Sequence, residues 1–302
     1  MKGLLLVLLS SVIYGAEPSL RALALQDGVS PVSIILVNST VFFLACAAIC
    51  LARRENLRLP WRQALQLTLG GSAGIGVTGL LVTMASRYIP VGCVTVIHFM
   101  YPSLVCIALA IRFKNRLTPP KLLAIVLSII GLVCISGDSF GSSLLGIGLA
   151  VCSSLTFALY ILILDKGQTG AISQSVRMFY VALGSCLVLG ILSLVLQEPG
   201  GWTPRSLGLI SGCGILTCIA SISFALGIKH IGSSAASFCS LLEPISSLVI
   251  STLIYHYSFS STTLIGCALS VTAILLVSLN DPHIVAGKHN PLHHHLSAAP
   301  KQ

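Results

Sequence analysis

The sequence predicts an all-α polytopic membrane protein, ten transmembrane helices arranged as two inverted five-helix repeats. Three observations predict it. Of 302 residues, 55% are hydrophobic and 8% are charged, with a mean hydropathy of +0.97; soluble domains carry about 25% charged residues. Charges, prolines and Gly/Ser clusters cut the chain into ten apolar segments, most of them near the roughly 20 residues that cross a bilayer core. The placement of those breaks in the first half recurs in the second at a fixed offset.

The first span, 3–25, follows Lys2 and carries Tyr14-Gly15-Ala16-Glu17-Pro18. Its basic start, apolar core and small residues at Gly15-Ala16 also fit a cleaved signal peptide, but the repeat gives it a counterpart deep in the chain, so retention is expected. The second, 31–52, opens on Pro31 and stops at Arg53-Arg54, and the third, 63–86, lies between Arg62 and Arg87. The fourth, 90–112, contains His98, Tyr101 and Pro102; the fifth, 121–138, runs from Lys121 to Asp138. The sixth, 142–164, stops before Asp165-Lys166, the seventh, 173–196, before Glu198-Pro199, and the eighth, 205–228, before Lys229. The ninth, 232–256, contains Glu243-Pro244, and the tenth, 259–280, ends before Asp281-Pro282.

Lys and Arg concentrate in cytoplasmic loops. With the N-terminus inside, thirteen fall on the inner side and only Arg21, Arg87 and Arg205 outside. Both termini are therefore expected in the cytoplasm of a cell (inner) membrane protein. The net charge of +9 does not indicate a nucleic-acid partner, because its residues are scattered through short loops.

Residues 87–133 slide onto 229–275 at an offset of 142, which puts Pro102 on Pro244 and Leu127-Ser128 on Leu269-Ser270. Ahead of them an offset of 143 puts Ser10-Ser11 on Ser153-Ser154 and Tyr14 on Phe157. The expected organisation is a first repeat over 1–140, a second over 141–281, and a His-rich tail over 282–302. Five helices per unit make the second copy enter the membrane from the opposite side, an arrangement of secondary transporters whose site lies between the halves.

Of eight acidic residues only Glu17 and Glu243 lie well inside spans, and intramembrane carboxylates mark functional positions. Ser10, Tyr14, Glu17 and Arg21 are spaced for one helix face. Ser233, Ser237, Ser240, Glu243, Ser247 and Ser251 form a similar stripe, and His98 and Tyr101 lie one turn apart. The offsets relate Glu17 to Tyr160 and Tyr101 to Glu243, so each half offers one Glu and one Tyr. Glu243, Glu17, His98, Tyr101, Tyr160, Tyr14 and Ser240 are the candidate substrate-binding or coupling residues. Pro244, Pro102 and Pro18 are expected to break helices. Arg177 lies one turn into the seventh span and is expected to anchor at the interface.

Other motifs are weaker. The eleven cysteines form no CxxC and read as small apolar packing residues. Gly70-xxx-Gly74 and Gly208-xxx-Gly212 fit close helix contact. Gly137-Asp138-Ser139-Phe140-Gly141 matches GxSxG without the strand that a nucleophile elbow requires. His293-His294-His295 imposes no metal geometry. No metal site, cofactor or enzymatic reaction is expected.

Ten helices as two inverted fives, with Leu242-Glu243-Pro244 in the penultimate span and Tyr101-Pro102 as its first-half partner, resemble the drug/metabolite transporter superfamily, specifically its EamA-type transporters. Tyr14-Gly15 sits where that family commonly shows Trp-Gly. Its Glu-Arg-Leu closing helices four and nine is replaced here by Asn115-Arg116-Leu117 and Tyr257-Ser258-Phe259. The resemblance implies export or exchange of small metabolites such as amino acids by a monomer or homodimer among membrane lipids, with the proton as a candidate coupling ion. Transport of phosphorylated metabolites or nucleotide sugars, a non-transporting scaffold, and an intramembrane enzyme are the alternatives. The first usually needs a midplane Arg or Lys, and the last a nucleophile–base spacing that the sequence lacks.

Overall fold

The computed structural model describes residues 2–113, 119–137, 143–165, 172–197, 202–239 and 242–279. Among the described residues every regular element is helical: α1 (Lys2–Gln26), α2 (Pro31–Ala52), α3 (Trp61–Gly71), a π-helical turn (Ser72–Val77), α4 (Thr78–Ala85), α5 (Val91–His98), α6 (Tyr101–Phe113), α7 (Pro119–Gly137), α8 (Leu144–Asp165), α9 (Gln174–Leu196), α10 (Pro204–Cys239), α11 (Leu242–Tyr255) and α12 (Ser261–Leu279). Prolines start several helices, where the missing N–H is not needed. Pro31 follows the Ser30 cap, whose hydroxyl accepts from the Ser33 N–H at 3.2 Å, and Pro119 and Pro204 open α7 and α10.

Among the described residues six stretches are long and apolar enough to cross a membrane: Lys2–Gln26, Pro31–Ala52, Trp61–Ala85, Leu144–Ile163, Gln174–Leu196 and Pro204–Phe224. Shorter apolar helices cover Val91–Val105, Leu122–Gly131, Leu242–Tyr255 and Ser261–Ala273. The bundle exposes large apolar side chains that a water-soluble protein would bury. Leu194, Ile111 and Leu51 are 80%, 75% and 74% exposed, while Glu17, Asn38, Ser39, Ser153 and Ser154 are buried. Apolar side chains face outward where lipid would solvate them, and polar groups bond to one another inside.

Two expected boundaries are corrected. Pro18 lies inside an unbroken α1. It removes one backbone bond, and packing against α10 and α11 holds the helix straight through, as neighbouring helices do in membranes. The eighth and ninth spans are not separated at Lys229: α10 runs 36 residues, to Cys239. No proline stands between Pro204 and Pro244, so nothing there removes a helical hydrogen bond.

The first-half helices pack mainly on second-half helices. α1 lies on α10 and α11, α2 on α9 and α10, α3 on α9, α4 on α8, α5 on α11 and α8, and α7 on α12. Glycines set the closest crossings. A Cβ on Gly71 would overlap the Val181 carbonyl, and one on Gly184 the Thr68 carbonyl, so α3 and α9 touch backbone to backbone. Gly208 and Gly212 were expected in such a contact, but a Cβ on either meets nothing within 4 Å. The contact on α10 is made instead by Gly214, against Val41 and the Asn38 carbonyl.

Gly184→Ala should therefore destabilise the protein by about 1–3 kcal/mol through overpacking against backbone that cannot yield. Gly190→Ala on the same helix, where a Cβ meets open space, should be neutral or slightly stabilising. Thermal unfolding of the two purified variants in detergent checks the ordering; equal melting temperatures would contradict the α3–α9 crossing.

Candidate functional site

The centre of the bundle is organised by α1. Its face of Ser10, Tyr14, Glu17 and Arg21 turns inward, and all but the partly buried Tyr14 and Arg21 are fully buried. Glu17 Oε1 accepts hydrogen bonds from Asn38 Nδ2 of α2 at 3.1 Å and from Thr217 Oγ1 of α10 at 2.6 Å. The Arg21 guanidinium, one turn along α1, forms an ion pair with the same carboxylate. Glu17 is thus held by a cation and two donors from three helices. One turn back, Tyr14 Oη and Ser221 Oγ share a 2.6 Å hydrogen bond, and Ser221 Oγ donates to the Thr217 carbonyl at 2.8 Å.

Gly15 brings α11 against this face. A Cβ there would overlap Ser246 Oγ and come within 2.7 Å of the Glu243 carbonyl oxygen. Ser246 Oγ donates within its own first turn, to the Leu242 carbonyl at 2.7 Å. The partly buried Glu243 side chain lies within electrostatic reach of Glu17, Tyr14 and Tyr101. It makes no hydrogen bond or ion pair with another described residue. Both prolines sit at helix starts: Pro244 is third in α11 and Pro102 second in α6.

An aromatic cluster forms the other wall. α5 ends at His98, two turn residues follow, and α6 starts at Tyr101. Ser153 Oγ spends its hydrogen on the Ala150 carbonyl at 2.6 Å, so its 3.0 Å contact with His98 Nδ1 requires the imidazole to donate from Nδ1. His98 packs on Phe157 (centroids 5.2 Å) and Tyr101 (5.7 Å), Tyr101 on Phe157 (4.7 Å), and Phe157 on Tyr160 (5.4 Å). Tyr160 in turn covers Gly74, where a Cβ would collide with its ring. Gly74 belongs to the π-helical turn, a deformation that recurs at functional sites. Thr78 Oγ1 donates to the Ala73 carbonyl at 2.8 Å, and Ser72 Oγ to the Gly184 carbonyl at 2.9 Å, which fasten the turn to itself and to α9.

The structure thus brings Glu17, Glu243, Tyr14, Tyr101, Tyr160 and His98 around one centre. Ser240 lies outside the described residues, as do residues 138–141 of the GxSxG stretch and the His293–His295 run. Arg177, expected at the interface, lies within electrostatic reach of Tyr160. Sequence reasoning missed Asn38, Thr217 and Ser221, the partners of Glu17 and Tyr14. Asn38 carried a signal, as the only carboxamide in an otherwise apolar second span.

A model of the EamA-like transporter family matches the chain twice, over residues 1–137 and 144–279. An uncharacterized transporter of Bacillus subtilis (strain 168), YvbV, is 27% identical over 281 residues, 88% of each chain. An uncharacterized transporter of Archaeoglobus fulgidus is 24% identical over 262 residues, 84% of this chain and 92% of its own. A solved crystal structure at 18% identity superposes with a TM-score of 0.63 over 92% of this chain and 97% of the other, a likeness of fold alone.

Breaking a buried ion pair from one side costs about 3–5 kcal/mol, whereas removing both charges is often neutral. Arg21→Met should accordingly lower the melting temperature in detergent more than the double variant Arg21→Met with Glu17→Gln. A double variant as unstable as the single one would show that Arg21 acts through packing rather than charge.

Proposed function

The chain belongs to the EamA-like transporter family, and from that premise we propose that it is a secondary active exporter or exchanger of small metabolites such as amino acids. Alternating access about the central site is the proposed mechanism, with Glu243 as the coupling or substrate-ammonium residue and Glu17 as a brace. Both termini are placed in the cytoplasm, by the distribution of Lys and Arg.

The observation that carries this reading is the contrast between the two carboxylates. Glu17 has a cation and two donors, so removing its charge would strand Arg21. Glu243 has no such partner among the described residues, and its carboxylate can take up a proton or a substrate ammonium without breaking anything. Arg21 is neutralised by Glu17, which favours a cationic or zwitterionic solute over a phosphorylated one. Tyr14 and Tyr101 lie within electrostatic reach of that carboxylate, and His98 and Tyr160 extend the ring surface beside Tyr101.

Two repeats, over 1–140 and 141–281, are supported by contacts that the 143-residue offset exchanges. Glu17 bonds to Thr217, and their counterparts Tyr160 (17 + 143) and Gly74 (217 − 143) pack together. Gly214 presses on the Asn38 carbonyl, and their counterparts Gly71 (214 − 143) and Val181 (38 + 143) do the same. Pairs exchanged in this way fit two inverted units facing each other.

In proteoliposomes loaded with an amino-acid mixture, the wild type should release selected amino acids, faster when a pH gradient is imposed. Glu243→Gln should abolish the gradient-driven component while leaving the melting temperature near that of the wild type. Undiminished, gradient-sensitive efflux by Glu243→Gln would refute its assignment as the coupling residue.

A further inference from the structure

A second, chemically distinct place lies between α2, α9 and α10. It is a cavity of about 60 Å³ whose walls include Cys46 of α2, Cys218 of α10 and Met178 of α9. Cys46 and Cys218 are 4% and 5% exposed and belong to one packed cluster, with Met178 against it. Three sulfur-bearing side chains from three helices therefore line one cavity with room for a single ion. Arg53 lines the same cavity and donates from Nη1 to Ser175 Oγ at 3.3 Å.

We propose that Cys46 and Cys218, with Met178 as a third donor, bind a thiophilic monovalent metal ion of the Cu(I) class. The donor set decides the class. Soft thiolate and thioether sulfur selects Cu(I), whereas a structural zinc site needs four ligands and Fe–S clusters are held by four cysteines or by two cysteines with two histidines. Among the described residues no three His, Cys, Asp or Glu side chains converge, so harder or higher-coordinate ions lack ligands. Two buried cysteines on one cavity suit a two-coordinate sulfur–metal–sulfur arrangement. Binding replaces two S–H protons by one Cu⁺, leaving a bis-thiolate complex of charge −1 and two released protons. The Arg53 guanidinium in the cavity wall is the compensating charge.

The site is independent of the transport reading, because none of its sulfur ligands belongs to the Glu243 cluster. The test is titration of the purified full-length protein in detergent with Cu(I), under reductant and against a chromogenic Cu(I) chelator. The wild type should retain one equivalent. Cys46→Ser and Cys218→Ser should each weaken retention at least tenfold, Met178→Leu should weaken it less, and Cys152→Ser, an exposed thiol elsewhere, should leave it unchanged. X-ray absorption of the Cu(I)-loaded wild type needs no variant and should show a low-coordinate, sulfur-only shell. Retention unchanged in both cavity variants, or nitrogen or oxygen ligands in the absorption spectrum, would overturn the proposal.

Discussion

The Glu17–Arg21 ion pair, completed by Asn38 and Thr217, fixes how α1, α2 and α10 meet. A carboxylate in hydrocarbon is costly, so these helices have one register in which Glu17, already paired with Arg21 of its own helix, also finds both donors. A one-residue slip of α1 would turn the carboxylate about 100° away from Asn38 and Thr217. The bond adds little net energy over an apolar replacement, but it penalises every other packing. Tyr14 and Gly15 then follow from that register: one reaches Ser221, and the other admits α11.

The same reasoning explains why the two proposed repeats would be alike in placement and unlike in chemistry. At the 143-residue offset of the proposed repeats, the positions of Glu17 and Thr217 in one crossing correspond to those of Tyr160 and Gly74 in the other. A ring on a glycine needs shape complementarity and no charge, so that crossing fills with the Phe157–Tyr101–His98 cluster. One side of the centre is therefore braced by charge and the other by aromatic packing.

Much of this was legible in the sequence. The apolar segments and the Ser10–Tyr14–Glu17–Arg21 face follow from helical periodicity and the scarcity of charge, and the 142-residue offset related Tyr101 to Glu243. What was illegible depends on contacts between segments far apart. Nothing local indicates that Thr217, one hydroxyl among many, lies against Glu17 some 200 residues earlier. Pro18 resembles a break because intrinsic propensity penalises it, yet the neighbours of α1 override propensity. Gly208 and Gly212 have the spacing of a contact motif but lie on the wrong face of α10, which composition cannot reveal.

The prolines at Pro102 and Pro244 start helices instead of interrupting them. A proline in a first turn gives up an N–H that has no intrahelical partner, so each marks a helix that begins within the bundle. For α11 that beginning lies against Gly15, near the middle of α1. Glu243 is therefore in the first turn of its helix, where the unpaired N–H groups and the aligned peptide dipoles favour negative charge. This compensation is fixed and involves no side-chain cation. Glu17 is neutralised by a partner that would be stranded if its charge were lost, whereas Glu243 can gain and lose a positive companion while its own helix end stays in place. The coupling role proposed for Glu243 rests on that property, and the register of the bundle requires the opposite of Glu17.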